Sequence, residues 1–196
     1  MDTPPYLLGG STWLNLVNTL YLQNKEKHDA LTDSASTLQW LHANQLIREP
    51  YDVLGAETLL EVRVELASLR DLCKEILIDL DMGNELAAET FIKLKARAQS
   101  LSIQIHATVS EGKFTLNYEG KSAVDHMLYM IIRSIFDTLD TYTPDRIRKC
   151  EHEDCILHFV DTSKSGKRRW CSMEACGNRH KAAEFYAKKK LKKSML

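Results

Sequence analysis

The sequence predicts a mainly α protein of the α+β class, ending in a small cysteine-rich module. Three observations predict it. Apolar residues recur at intervals of three and four through most of residues 11–139, the period of a helix with one buried face. Two short runs between Ile103 and Tyr118 alternate apolar with polar instead, the period of a strand. Four of the five cysteines fall within 27 residues near the C-terminal end. With 196 residues, 44% hydrophobic and 27% charged, the chain is an ordinary globular one, long enough to build a core without disulfides.

The elements follow in order. After the Gly9-Gly10 turn, Ser11 is placed to cap a helix carrying Trp13, Leu14, Leu16, Val17 and Leu20. Asp33 or Ser34 opens a second helix with Leu38, Trp40 and Leu41 turned inward. The longest pattern runs from Glu57 to Asp81, with Leu59, Leu60, Val62, Val64, Leu69, Leu72, Ile76, Leu77 and Leu80 as a broad apolar face. Gly83 ends it, and Asn84 is placed to cap a helix through Leu86, Phe91, Ile92 and Leu94. Ile103, Ile105 and Ala107, then Phe114, Leu116 and Tyr118, alternate on either side of Glu111-Gly112 and read as a β-hairpin. Ser122 opens a last helix whose stripe is Val124, Met127, Leu128, Ile131, Ile135 and Leu139, and Pro144 follows as a stop.

Charge divides the chain at the same place. The net charge is -1 overall, but residues 1–143 hold 12 basic and 20 acidic side chains, a net of −8, and residues 144–196 hold 14 and 7, a net of +7. The division predicts two domains, 1–143 and 144–196, the second suited to a polyanion. No secretory pattern opens the sequence. The most apolar stretch, Met127 to Phe136, contains Arg133 and is far shorter than the ~20 residues of a membrane span. A cytoplasmic protein with no membrane partner is the expectation. His28, His42, His106 and His126 are scattered, and no phosphate loop, nucleophile elbow or paired carboxylates stand out, so no catalytic or organic-cofactor site is assigned and a non-enzyme is expected. Cys73, among Leu72, Ile76 and Leu77, reads as a buried inert thiol.

The other cysteines, Cys150, Cys155, Cys171 and Cys176, have the pattern C-x4-C-x15-C-x4-C. Two close pairs joined by a short span suit one tetrahedral Zn²⁺, although knuckles usually space their cysteines by two residues. Disulfides are the competing reading, and an intracellular setting disfavours them. Four thiolates complete a structural site and leave no open position for water, so His152, His158 and His180 are left out of the ligand set. Ile156, Leu157, Phe159 and Val160 suit a strand, Asp161 to Gly166 a turn, and Lys167 to Trp170 the return of a hairpin that joins the pairs. A helix from about Lys181 to Lys193 follows. A cysteine-bearing turn, a hairpin and a helix starting beside the last ligand make a treble-clef-like zinc module. The segment has little apolar mass of its own, so metal binding supplies folding free energy.

Basic residues crowd this scaffold: Lys164, Lys167, Arg168 and Arg169 on the hairpin, and Arg179, Lys181, Lys188, Lys189, Lys190, Lys192 and Lys193 on or beyond the helix. Such density neutralises phosphates and releases counterions. Arg168, Arg169 and Arg179 are candidates for bidentate contacts to guanine or phosphate, and Asn178 has the donor–acceptor pair that reads adenine. The expected nucleic-acid-binding set is Lys164, Lys167, Arg168, Arg169, Asn178, Arg179, Lys181, Lys188 and Lys189. A tetrathiolate zinc centre would reduce the module's +7 to about +5.

At Cys171-Ser172-Met173-Glu174-Ala175-Cys176-Gly177-Asn178-Arg179 the sequence resembles the CGNR zinc-finger family, and Arg169-Trp170 and the basic helix fit it too. Gly9-Gly10 followed by Leu14-Asn15-Leu16-Val17-Asn18-Thr19 is similar to the ABATE domain, the usual companion in stress-induced transcription regulators of that family. The resemblance implies a bacterial-type DNA-binding regulator with zinc on the four cysteines. Its N-terminal domain would sense a small molecule or mediate homodimerisation, because paired half-sites enlarge the specificity of one small module. An RNA- or ribosome-associated zinc protein is the alternative.

Overall fold

The computed structural model describes residues 3–194, with side chains described through Lys190. Lys192 and Lys193 therefore lie outside the described side chains. The helices are α1 (Thr12–Val17), α2 (Ser34–Ala43), α3 (Ala56–Gly83), α4 (Ala88–Gln99), α5 (Ala123–Thr141) and α6 (Asn178–Ser194). Three separate antiparallel hairpins complete the described residues: β1 (Leu20–Gln23) with β2 (Glu26–Asp29), β3 (Ile103–Ser110) with β4 (Lys113–Gly120), and β5 (Ile147–Lys149) with β6 (His158–Val160). The chain is thus mainly helical with small hairpins, as its periodicities predict.

α1, α3 and α5 each pack against the other two. Trp13, Leu14, Leu16 and Val17 of α1 are buried between Leu59, Val62, Leu66, Leu69, Cys73 and Ile76 of α3 and Met127, Leu128, Ile131 and Ile135 of α5. Burying each large apolar side chain stabilises the fold by about 1.5–3 kcal/mol. Two caps form where the sequence places them. The Asp33 carboxylate accepts the Ser36 N–H at 2.9 Å to start α2, and the Ser122 hydroxyl accepts the Asp125 N–H at 3.1 Å to start α5.

Several details differ from expectation. α1 stops at Val17, because the Thr19 hydroxyl donates back to the Leu16 carbonyl at 2.7 Å and Leu20 enters β1. The β1–β2 turn at Asn24-Lys25 has positive φ at both residues without a glycine, so it left no strong mark in the sequence. On α3, Leu60 and Val64 are exposed, while Arg70 and Cys73 occupy the inner face. Phe91 and Ile92 of α4 are likewise exposed. Asn84 terminates α3 in the left-handed conformation (φ 54°) rather than capping α4, which begins after Ala87. Finally, β6 pairs with β5, upstream of Cys150, and not with Lys167 to Trp170. That returning segment contributes one backbone bond, from the Glu151 N–H to the Arg169 carbonyl at 3.0 Å.

The C-terminal segment is joined to the helices by backbone as well as by packing. Val160 belongs to the main hydrophobic cluster, and its N–H donates to the Gly9 carbonyl at 2.9 Å. A Cβ on Gly9 would come within 2.7 Å of Asn15 Oδ1, the atom that accepts the Gly9 N–H at 3.0 Å. Asn15 Nδ2 donates to Asn44 at 2.7 Å, and its carbonyl accepts the Trp40 indole N–H at 3.2 Å. Asn18 reaches the backbone of His158. The polar residues of the Leu14 to Thr19 stretch are therefore fasteners between segments far apart in sequence.

Candidate metal centre

The sulfurs of Cys150, Cys155, Cys171 and Cys176 all lie within 4.8 Å of one another. Cys155 to Cys171 is 3.8 Å and Cys171 to Cys176 is 3.6 Å. A tetrahedron of sulfurs at ~2.3 Å from zinc has edges of about 3.8 Å, so the separations fit that ion. Cys150, Cys171 and Cys176 are buried and Cys155 is half-buried. Cys73 stands apart in the core, where burial pushes its thiol up, away from reactivity.

Local structure aims each sulfur. Cys150 follows β5 directly and its N–H donates to the Leu157 carbonyl at 2.9 Å; the Cys155 N–H donates to the His152 carbonyl at 3.0 Å. These bonds close the first cysteine loop. The second loop is a wide π-type turn over Met173–Gly177, capped by the Ser172 hydroxyl on the Ala175 N–H at 3.2 Å. α6 starts immediately after it. The Cys171 N–H points at the Cys150 sulfur, 3.5 Å away.

The electrostatics of the cluster call for a cation. Hydrogen bonds from Cys155, Cys171 and Cys176 hold Cys150 far below the ordinary thiol range, whereas those with Cys150 keep Cys155 and Cys171 far above it. Four sulfurs this close cannot all ionise against one another. A bound divalent ion removes that limit, because a coordinating thiol is deprotonated outright.

Residues 146–189 match the family model of the CGNR zinc finger. No curated protein matches the chain.

The geometry explains most of that finger's short signature. Cys176 is a ligand position. Gly177 is buried, and a Cβ there would stand 2.5 Å from the Met173 sulfur and 3.2 Å from the Trp170 ring. Arg179 donates to the Cys176 sulfur at 3.2 Å and to the Ala175 carbonyl at 3.3 Å, placing positive charge beside the thiolate. Asn178 is exposed; its N–H closes the turn on the Ala175 and Met173 carbonyls, and its side chain has no hydrogen-bond partner among the described residues.

The expected contact residues fall into two groups. Lys164, Lys167, Asn178, Lys181, Lys188 and Lys189 are exposed. The arginines are already engaged. Arg168 lies over the Phe159 ring at 4.5 Å and donates to the carbonyls of Trp170, at 2.8 Å, and Cys171. Its guanidinium braces the finger and, like the other two arginines, already has partners within the chain. Arg169 lies over Trp170 at 4.7 Å and donates to Glu151 at 2.6 Å, and Arg179 serves Cys176. Both remain exposed, but each would have to share or exchange its present partner.

The histidines left out of the ligand set have other surroundings. His152 Nδ1 accepts the Asp154 N–H at 3.1 Å, and His180 packs against Trp170 with centroids 4.7 Å apart. His158 on β6 is pushed down to about 4 by burial and by Lys149, so it is neutral at pH 7.

Sequence reasoning missed Asp161. It is fully buried and its carboxylate accepts the N–H groups of Ser163 at 2.9 Å and Arg168 at 2.8 Å. Burial alone would raise its pKa; these bonds outweigh that and hold it below the usual carboxylate range. Arg146 clamps the same turn, donating to the carbonyls of Asp161 at 3.1 Å and Ser163 at 2.7 Å. The knot holds the loop that carries Lys164 and Lys167. An aspartate opening a turn-rich stretch was its only mark in the sequence.

Proposed function

We propose that the chain is a DNA-binding transcription regulator of the cytoplasm, not an enzyme, with two domains divided near Thr143-Pro144. The zinc finger contacts DNA, and the ABATE-like helical domain answers to a small-molecule effector and to a second copy of the chain. One observation carries the DNA reading. α6 leaves the cysteine cluster with every side chain from Lys181 to Lys190 exposed. It carries Lys181, Lys188, Lys189 and Lys190 against one carboxylate, Glu184, over that span. Such a helix gains nothing from packing on its own protein, and its width and charge suit the major groove.

Zinc, when bound, supplies the cross-link that a segment with so little core needs. The chain's own residues do the rest. Trp170 and His180 pack together at the start of α6 and fix where it leaves the cluster. Asp161 and Arg146 hold the turn that presents Lys164 and Lys167.

The effector reading draws support from a cavity of about 530 Å³ between α3 and the first strands of the finger, lined by Leu77, Leu80, Asp81, Ile147, Lys149 and His158 among others. That volume lies within the range of small-molecule sites. An occupant would touch β5 and β6, which lead into Cys150 and out of Cys155.

No described helix is long and apolar enough to cross a membrane. The test is a mobility-shift titration of the zinc-loaded full chain with genomic fragments, competed by structured RNA. Retention of DNA that weakens with added salt supports the reading. No binding at low ionic strength, or a clear preference for the RNA, overturns it.

A further inference from the structure

The β3–β4 hairpin has two faces of opposite character. Its register sets Ile105 opposite Tyr118, Ala107 opposite Leu116 and Val109 opposite Phe114. Residues two apart share a face, so these six side chains form one apolar stripe without a charge. Its five large members are between 44% and 85% exposed. The opposite face is finished for water. There the Thr108 and Thr115 hydroxyls bond at 2.6 Å, Asn117 donates to Thr108 at 3.1 Å, and His106 lies 3.5 Å from Glu119.

The hairpin stands on a fixed base. The Tyr51 hydroxyl donates to the Gly120 carbonyl, and the Lys121 N–H donates to the Ser102 carbonyl at 2.8 Å. Gly120 abuts α5 so closely that any Cβ would overlap the backbone of Asp125 and His126. A held ribbon with one open apolar face and two unpaired strand edges is a surface that proteins ordinarily cover.

We propose that a second copy of the chain covers it, laying its own stripe against this one about a two-fold axis. The argument is area and charge. Five large side chains exposed to this degree offer about 500–700 Å² per copy, given ~150–250 Å² for a whole aromatic side chain. Two copies then bury up to about 1,000–1,400 Å², the lower end of the range of specific interfaces. A two-fold contact sets the same patch against itself, and a patch without charge does so without repulsion, although residues 1–143 carry a net of −8. Face-to-face hairpins about 10 Å apart interdigitate as two layers of a sandwich. The inference locates the pairing surface named in the proposed function and stands whether or not the finger binds DNA.

Sedimentation velocity of the zinc-loaded full chain over a wide concentration range tests it, with no nucleic acid present. A reversible monomer–dimer equilibrium is expected. Phe114→Lys and Leu116→Lys should each weaken it by about 30-fold or more, the effect of removing a central contact. The milder Phe114→Ser should act in the same direction, and Thr115→Lys on the water-facing side should leave it unchanged. Circular dichroism and one zinc per chain show that each variant is folded. A monomer at every concentration, assembly growing beyond a dimer, or equal dimer affinity in the folded Phe114→Lys and Leu116→Lys variants would overturn the proposal.

Discussion

The side chain of Asn18 donates to the His158 carbonyl at 2.8 Å and accepts the His158 N–H at 2.9 Å. It acts as a strand edge for β6, supplied from the end of α1. Asn18 is buried, so water cannot replace it. Asn18→Ala should destabilise the chain by about 2–4 kcal/mol, since each orphaned backbone group costs ~1–3 kcal/mol. Urea unfolding checks this, and a loss below ~0.5 kcal/mol would show that the joint between helices and finger holds by other means.

Metal removal should separate the five thiols. With zinc bound, a thiol reagent should find little to modify. After chelation, Cys150, Cys155, Cys171 and Cys176 should react, while Cys73, fully buried and with its thiol pushed up, should react only on global unfolding. Cys171→Ser should lose tight zinc binding and Cys73→Ser should keep it. Full metal content in Cys171→Ser would overturn the ligand assignment.

Arg70 crosses the buried face of α3 to meet Asp29 through two bonds of 2.7 and 2.9 Å, and it also donates to the Thr19 hydroxyl at 2.7 Å. Burial would raise the Asp29 pKa, but the Arg70 bonds and charge outweigh it and hold the carboxylate below its usual range. Arg70→Met leaves that carboxylate unpaired. The expected cost is about 2–3 kcal/mol by denaturant unfolding, below the ~3–5 kcal/mol of a fully buried pair because Asp29 keeps some contact with water.

His126 should make stability fall in mild acid. Burial lowers its pKa, the Arg48 charge beside it adds to this, and the Arg48 N–H donates to its Nε2 at 3.2 Å, which requires the neutral ring. The folded pKa lies below the unfolded value of about 6.5, so protonation favours unfolding. The contribution is whole above the unfolded pKa and is lost as pH falls below it toward the folded one. Urea midpoints at pH 7.5 and 5.5 should therefore differ more in the wild type than in His126→Gln. The acid lability of the zinc centre is common to both proteins and cancels in that comparison.

Much of this was legible in the sequence, for identifiable reasons. The spacing of Cys150, Cys155, Cys171 and Cys176 identified the cluster because a tetrahedral ion needs four donors, and two close pairs supply them. The β3–β4 hairpin and the α5 stripe had clean periods of two and of three to four. What stayed hidden depended on distant partners. Arg70 looks like a surface charge until Asp29 arrives from β2. Leu60 and Val64 look like core until α3 is seen to need only one face. Arg168 reads as a phosphate contact, but the Phe159 ring and two carbonyls occupy it. β5 went unnoticed because three residues, Ile147-Arg148-Lys149, are too few to show a period.

The central claim is that the exposed cations of α6 bind DNA phosphates, and the salt dependence of affinity measures this most directly. Fluorescence anisotropy of a labelled duplex, titrated with the zinc-loaded chain at several salt concentrations, gives the slope of log K against log salt. Each neutralised phosphate contributes about −0.9 to that slope. The triple variant Lys181→Gln, Lys188→Gln, Lys189→Gln should keep its zinc and its fold, bind more weakly at low salt, and have a slope shallower by about 2–3. An unchanged slope and affinity in that variant, or no binding by the wild type at low salt, would contradict the account.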